Sequence, residues 1–296
     1  MSSVGKLNGI IVALITPFDS HGNLAPERAK QLITHHIEAG VQGFYVGGSS
    51  GEGFLQSVEE RREYLQFVAD TCAQRVTLIA QVGALSSRDA WTLADDAGRL
   101  GYDIVSSTPP FYYAYTEQEV LSYYRELAER SPLPILLYNA PHTTGRKISL
   151  DAQEAMLKLP NVIGSKHTDT NLFTAERLMH IVKGVQFVNG PDDMLTAGLA
   201  MGMVGGIGTT YNFIPRIYLD IYKHVQGGDL ASARASQATA NELIDELIRI
   251  SPSVIPGTKL ALDILGYDIG PARKPFQKIS ADTSRFEKLL KDCDAF

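Results

Sequence analysis

The residue best placed to do chemistry is Lys166, in the stretch "IGSKHTDTN" at 163–171. It follows the apolar pair Val162–Ile163 and precedes a run of small polar residues. An ammonium therefore sits at the end of what reads as a buried strand. Lysine is rarely buried without a partner. Burial disfavours its charged form, and the neutral amine can attack a carbonyl carbon to give an imine. That chemistry needs a proton carrier nearby. Tyr138, near the end of "PILLYNA" (134–140), offers a phenol able to shuttle a proton. Each residue also has a plain structural reading: a lysine that snorkels to a rim, and a tyrosine that packs at a core edge.

A second group lies in "GGSSGEG" at 47–53. Its glycines free the backbone to approach a ligand and aim N–H groups at it. The hydroxyls of Ser49 and Ser50 add donors, and together they suit a carboxylate. The competing reading is a tight turn between a strand and a helix. "TPPFYY" (108–113) supplies aromatic residues, of which Tyr112 alone is singled out.

The 296 residues are 44% hydrophobic and 20% charged, which suits a globular protein with a sizeable core. The formal net charge of −6, with no Lys/Arg-rich run, argues against nucleic acid or a membrane surface as a partner. The apolar run in "MSSVGKLNGIIVALITPF" is too short to span a bilayer, and no small-residue cleavage motif follows it. A cytoplasmic protein without leader or membrane span is expected. Cys72 and Cys293 are expected to be unpaired thiols in a reducing compartment. The seven histidines form no HExxH and no Cys/His cluster. His35 and His36 would point about 100° apart on a helix, so no metal site is expected. "GIGTTY" breaks a GxGxxG pattern at Tyr211, and no GxxxxGK[ST] occurs, so no phosphate-cradling loop is signalled.

The elements that must position these residues follow a repeating rhythm. Strands are expected at 10–16, 43–49, 76–83, 103–108, 134–140, 162–168, 185–191 and 204–210. Helical stretches lie between and after them at 26–40, 57–75, 86–101, 116–131, 149–160, 174–184, 193–202 and 214–228. Eight such units in residues 1–225 match an α/β fold of the closed (β/α)₈ barrel type, a TIM barrel, better than an open sheet. After a Gly-Gly turn, helices are expected at 229–250, 257–266 and 283–296. Residues 226–296 are thus expected to be a C-terminal helical extension packed on the barrel. A barrel carries its chemistry at the carboxyl ends of its strands. The motifs above, with "NGPDD" (189–193) and "GIGTTYN" (206–212), fall at those ends.

Taken in order, "GGSSGEG", "TPPFYY", "YNAP", "GSKHTD" and "GGIGTTYN" resemble the family of dihydrodipicolinate synthase and N-acetylneuraminate lyase. The resemblance covers nearly the whole chain. It implies a (β/α)₈ barrel with a helical extension, assembled as a homotetramer, and a class I aldolase-type enzyme acting on pyruvate or a keto sugar acid. It implies that Lys166 forms the Schiff base, that Tyr138 transfers protons, and that Ser49 and Ser50 hold the substrate carboxylate. Tyr112 matches a tyrosine that family members lend to a neighbouring subunit's site. No metal or organic cofactor is implied, because the protonated imine is itself the electron sink.

Within that family, dihydrodipicolinate synthases carry an arginine shortly after the "YN-P" motif, where this chain has Thr143. A bidentate carboxylate clamp is therefore missing. "NGPDD" and "GIGTTYN" look like the sialic acid lyase pattern, in which residues after strands 6, 7 and 8 bind a polyhydroxylated tail. The matching positions are Thr168, Gly190, Asp192, Asp193 and Thr209. Family lyases usually show Asp-Glu at the Asp192–Asp193 pair and serine at Thr209. The resemblance thus implies reversible cleavage of N-acetylneuraminate to pyruvate and N-acetylmannosamine. The alternatives are a 2-keto-3-deoxy sugar acid aldolase, a dihydrodipicolinate synthase and a non-catalytic sugar-acid binder.

Overall fold

Each of the eight apolar runs forms a strand, and each strand is shorter than its run. The computed structural model describes residues 5–293. The strands are β1 (Gly9–Ala13), β2 (Gly43–Val46), β3 (Thr77–Gln81), β4 (Ile104–Ser107), β5 (Ile135–Asn139), β6 (Val162–His167), β7 (Gln186–Asn189) and β8 (Gly205–Gly208). All pair in parallel in chain order, and β8 pairs back onto β1 to close the barrel. The trimming falls mostly on the carboxyl side. Ser49, Pro191 and Thr209 therefore sit on loops beyond the strand ends.

The outer layer is α1 (Lys30–Ala39), α2 (Val58–Cys72), α3 (Ser87–Arg99), α4 (Glu117–Arg130), α5 (Pro141–Thr144), α6 (Leu150–Leu157), α7 (Leu172–Ile181), α8 (Leu195–Ala200) and α9 (Pro215–Gln226). Local chemistry sets their starts. Ser57 with Glu60 and Thr116 with Glu119 form reciprocal capping boxes at α2 and α4, each worth about 1 kcal/mol. The single turn α5 was not expected; Pro141 starts it and Gly145, at φ +64°, ends it.

After the barrel come α10 (Leu230–Ile250), α11 (Val254–Ile264) and α12 (Ser284–Asp292). α10 packs along α8 and α9, and α11 and α12 pack on α10. The expected helix 283–296 ends earlier, and its residues 294–296 lie outside the described residues, as do residues 1–4 of the expected barrel segment. α11 begins three residues before the expected Gly257. Pro256 is tolerated in a first turn. Gly257 is there for contact: a Cβ would lie 2.7 Å from Leu247 Cδ2 on α10.

The apolar residues divide into two cores. Ile11, Ala13, Tyr45, Ile79, Ile104, Leu136, Tyr138, Val188 and Ile207 fill the barrel interior. A larger cluster lies between the strands and the helices, and it includes Ile10, Val12, Phe44, Val46, Val105, Ile135, Leu137 and Val162. The alternation along the strands, interrupted only in β6 among these residues, is the period-2 rule of a β-strand wrapped around a closed sheet. No described helix is long and apolar enough to cross a membrane.

Candidate active site

A break in strand pairing sends Lys166 into the barrel. On β5, Leu136 and Tyr138 point inward, and Ile135 and Leu137 point outward. β6 begins in step, with outward Val162 opposite Ile135. The next pair is Leu136 with Gly164, so Ile163 is an extra residue, a bulge. Strict alternation from Val162 would have turned Lys166 outward. The one-residue slip reverses the parity and pairs Lys166 with Tyr138 and Val188, both inward. Gly164 makes the close approach possible, since a Cβ there would lie 1.8 Å from Gln186 O.

Lys166 is 5% exposed. Its Nζ lies 4.4 Å from the centre of the Tyr138 ring and 4.5 Å from that of Tyr45. The two rings meet edge to face, 6.0 Å apart. Sequence reasoning missed Tyr45. Its inward direction on β2, opposite to that of Phe44 and Val46, shows only in the closed barrel. The Tyr45 hydroxyl donates to Ser106 Oγ at 3.0 Å, and burial holds its pKa well above the ordinary phenol value. It is a neutral ring beside the amine.

The loop after β2 is tightly coiled. Gly53 N–H donates to Gly48 O, and Glu52 N–H donates to Ser49 O. A Cβ on Gly53 would lie 2.1 Å from Gly47 O, so the coil needs glycine there. Ser50 is buried, and its Oγ lies 2.6 Å from Thr209 Oγ1 on the loop after β8. Ser49 Oγ is shielded from solvent and has no hydrogen-bond partner in the protein. Behind the loop, Arg61 of α2 is buried and donates to Gly83 O, Gln81 O and Gln81 Oε1. Burial draws its pKa down to about 10.

On the opposite side of the barrel end, Thr168 follows β6 and Gly190 follows β7. A Cβ on Gly190 would lie 2.0 Å from Thr168 Oγ1, so glycine lets the threonine hydroxyl in. That hydroxyl is shielded and has no partner in the protein. Asp192 Oδ2 accepts from both Thr210 N (2.7 Å) and Thr210 Oγ1 (2.8 Å). Thr210 Oγ1 in turn meets Tyr218 OH at 2.6 Å. Asp192 Oδ1 lies over Gly208, where a Cβ would be 2.1 Å away. Burial pushes the Asp192 carboxyl up to about 6, against the pull of the Thr210 hydrogen bonds and the Lys166 charge. The hydroxyl of buried Tyr211 also has no partner. Thr210, Tyr211 and Tyr218 were not singled out from sequence, although the "TTYN" run holds two of them.

Two expected site residues stand apart. Asp193 is exposed, and its backbone carbonyl accepts from Asn241 Nδ2 on α10. Tyr112 is 72% exposed and packs edge to face on Tyr113. Neither contacts the lysine. No group of three or more His, Cys, Asp or Glu side chains able to hold a metal occurs among the described residues.

A closed parallel barrel that turns an amine, a phenol and several unpartnered hydroxyls toward its carboxyl end is the frame of a barrel enzyme for a small oxygen-rich substrate. The chain belongs to the dihydrodipicolinate synthetase family, whose model matches residues 6–293. It is 43% identical over 274 residues to an N-acetylneuraminate lyase of Rhizobium meliloti (strain 1021), covering 93% of this chain and 91% of that relative. It superposes on a sialic acid aldolase of Ruminococcus gnavus, solved as a catalytic lysine mutant, with TM-score 0.92 and 28% identity over 99% of this chain and 98% of the other. The Clostridium difficile protein CdNal, solved in complex with mannosamine, superposes with TM-score 0.90 and 29% identity over 96% and 97%.

Proposed function

We propose that this protein is a Schiff-base lyase that cleaves N-acetylneuraminate reversibly to pyruvate and N-acetylmannosamine. The observation that carries the reading is the bulge-directed Lys166, buried against Tyr138. The N-acetylneuraminate lyase and sialic acid aldolase names of its relatives support the substrate.

The amine of Lys166 attacks the keto carbon of the open-chain sugar acid, and water leaves to give the protonated imine. The bond between the third and fourth carbons then breaks. Its electron pair moves onto the imine as an enamine, and the proton of the fourth-carbon hydroxyl passes toward Tyr138. The freed aldehyde is the amino sugar. Protonation of the enamine carbon and hydrolysis of the imine release pyruvate and restore Lys166. Ser49 and Ser50 hold the carboxylate. Thr168, Gly190, Asp192, Asp193 and Thr209 form the side that meets the hydroxylated tail, where a carboxylate accepts several O–H bonds. Tyr112 reaches a partner subunit's site in a homotetramer. The buried free thiol of Cys72 fits a cytoplasmic setting.

Borohydride reduction in the presence of pyruvate, with peptide mass analysis and turnover of N-acetylneuraminate on the same sample, tests the reading. A reduced pyruvyl adduct on Lys166 with turnover supports both mechanism and substrate. An adduct without turnover redirects the substrate to other keto sugar acids. Absence of an adduct rejects the imine.

A further inference from the structure

Glu52 sits two residues after Ser50 in the carboxylate-binding loop, and it has φ +56°, ψ +32°. Left-handed backbone is unfavourable for a residue with a Cβ. It persists where surrounding contacts over-determine it. Those contacts come from the segment that follows the barrel. Glu52 Oε1 pairs with Lys259 Nζ of α11 at 2.7 Å, with side chains 0% and 3% exposed. Glu52 Oε2 accepts from the backbone N–H of Arg273 at 2.7 Å. Lys259 is fixed in turn by Pro271 O at 2.9 Å and lies over the Phe18 ring, on whose face Arg273 also sits. The Arg273 guanidinium closes the frame through Leu55 O, Gly22 O and both carboxylate oxygens of Glu60.

A buried ion pair is a costly way to hold two elements together, since both charges lose water. Apolar contact between α11 and the loop would serve stability as well. An ion pair on one carboxylate oxygen and a backbone N–H on the other fix direction, which apolar packing does not. The direction fixed is that of the loop presenting Ser49 and Ser50.

We propose that Glu52 and Lys259 are positioning residues for recognition of the 2-keto carboxylate. Through them, α11 sets the placement of the Ser49 and Ser50 hydroxyls. The inference rests on the reading of that loop as the carboxylate holder. A displacement of about 1 Å in such a group costs up to about 100-fold.

The test is borohydride trapping at Lys166 as a function of pyruvate concentration, on the full chain. The main variant is the double Glu52→Gln/Lys259→Met, which removes both buried charges at nearly constant volume. Glu52→Asp, which keeps the charge for Lys259 and shortens the side chain by one methylene, is the second variant should the double fail to fold. The half-saturating pyruvate concentration is expected to rise about 10- to 100-fold. Trapping at saturating pyruvate and KM for the aldehyde in the synthetic direction are expected to stay within about twofold, and Lys259→Arg, which keeps the charge facing Glu52, to retain most of the wild-type pyruvate affinity. Unchanged pyruvate dependence in a folded variant overturns the inference. So does a parallel loss for pyruvate and aldehyde that follows the loss of folded protein, since that marks a structural role alone. Wild-type protein that pyruvate never traps overturns the proposed function, and this inference with it.

Discussion

Ser50 Oγ and Thr209 Oγ1 lie 2.6 Å apart, joining the loop after β2 to the loop after β8. The two residues were expected to serve opposite ends of the substrate, one its carboxylate and the other its hydroxylated tail. Their contact ties the Ser50 hydroxyl to the loop after β8. If Thr209 donates to Ser50, the Ser50 hydrogen is left to point at the carboxylate, and the chain of donors is mutually polarised. Thr209→Val breaks that chain and leaves a buried hydroxyl short of a partner, at about 1–3 kcal/mol. The expected outcome is a rise of about tenfold or more in KM for both pyruvate and the sugar acid. Thr209→Ser keeps the hydroxyl and is expected to stay within about threefold. Steady-state kinetics in both directions checks this; a valine variant impaired for the sugar acid alone would show the subsites to be separate.

Gly164 is where the direction of Lys166 is decided. A Cβ there meets Gln186 O at 1.8 Å, so Gly164→Ala must push β6 away from β7 or undo the bulge. Overpacking against backbone costs about 3 kcal/mol or more. The expected result is a lower melting temperature and, in the protein that remains folded, slower imine trapping with pyruvate. Calorimetry and trapping on the same preparation measure the two separately. Normal trapping would mean that the bulge does not set the lysine's direction.

Much of the fold was legible because it rests on repeated local signals. Apolar strand runs, helix periodicity and caps such as Ser57 and Thr116 each act over a few residues. The bulge at Ile163 was not legible. "VIGSKHT" reads as one unbroken strand, and the slip shows only against the partner β5. Tyr45 was hidden for the same reason: its inward direction is a property of the closed barrel. Gly257 looked like a helix start, yet its role is a contact with Leu247, ten residues away in sequence. Glu52 lay inside a quoted motif, but its partners, Lys259 and Arg273, are more than two hundred residues distant. Long-range pairing is what a single sequence conveys least.

Tyr138 and Lys166 are register partners, and the proposed mechanism passes a proton to the phenol. Tyr138→Phe keeps the ring against the amine and removes only the hydroxyl. Loss of a positioned proton carrier slows a step by about 10²- to 10⁴-fold. Turnover of N-acetylneuraminate is expected to fall in that range, with the variant folding normally. Lys166→Met is expected to abolish both turnover and trapping. Stopped turnover in Tyr138→Phe with trapping at the wild-type rate would place the phenol in carbon–carbon cleavage; slowed trapping would place it in imine formation as well.

Asp192 and His36 give the protein two opposed pH dependences. Burial raises the Asp192 carboxyl to about 6 from an unfolded value of 3.8, so the folded state holds that proton more tightly. The ionised form is therefore a cost: stability falls as pH rises from about 4 to 6, by up to about 3 kcal/mol at 1.36 kcal/mol per pH unit. Burial lowers His36 to about 3 from 6.5, so the unfolded state binds its proton first. Its contribution is fully present above pH 6.5 and is lost as pH falls toward 3. Asp192→Asn, which can still accept from Thr210, is expected to raise the melting temperature at pH 8. It is also expected to weaken binding of the sugar acid, since a neutral amide replaces a carboxylate facing hydroxyls. In the wild type, KM for the sugar acid is expected to rise as pH falls through about 6, and Asp192→Asn to remove that inflection. His36→Gln is expected to flatten the loss of stability between pH 6.5 and 3 and to leave the KM profile unchanged. Melting curves and KM profiles across pH 4–8 for the three proteins separate the effects. A wild-type KM inflection that survives in Asp192→Asn would assign it to another group, and the carboxylate would lose its place in the tail subsite.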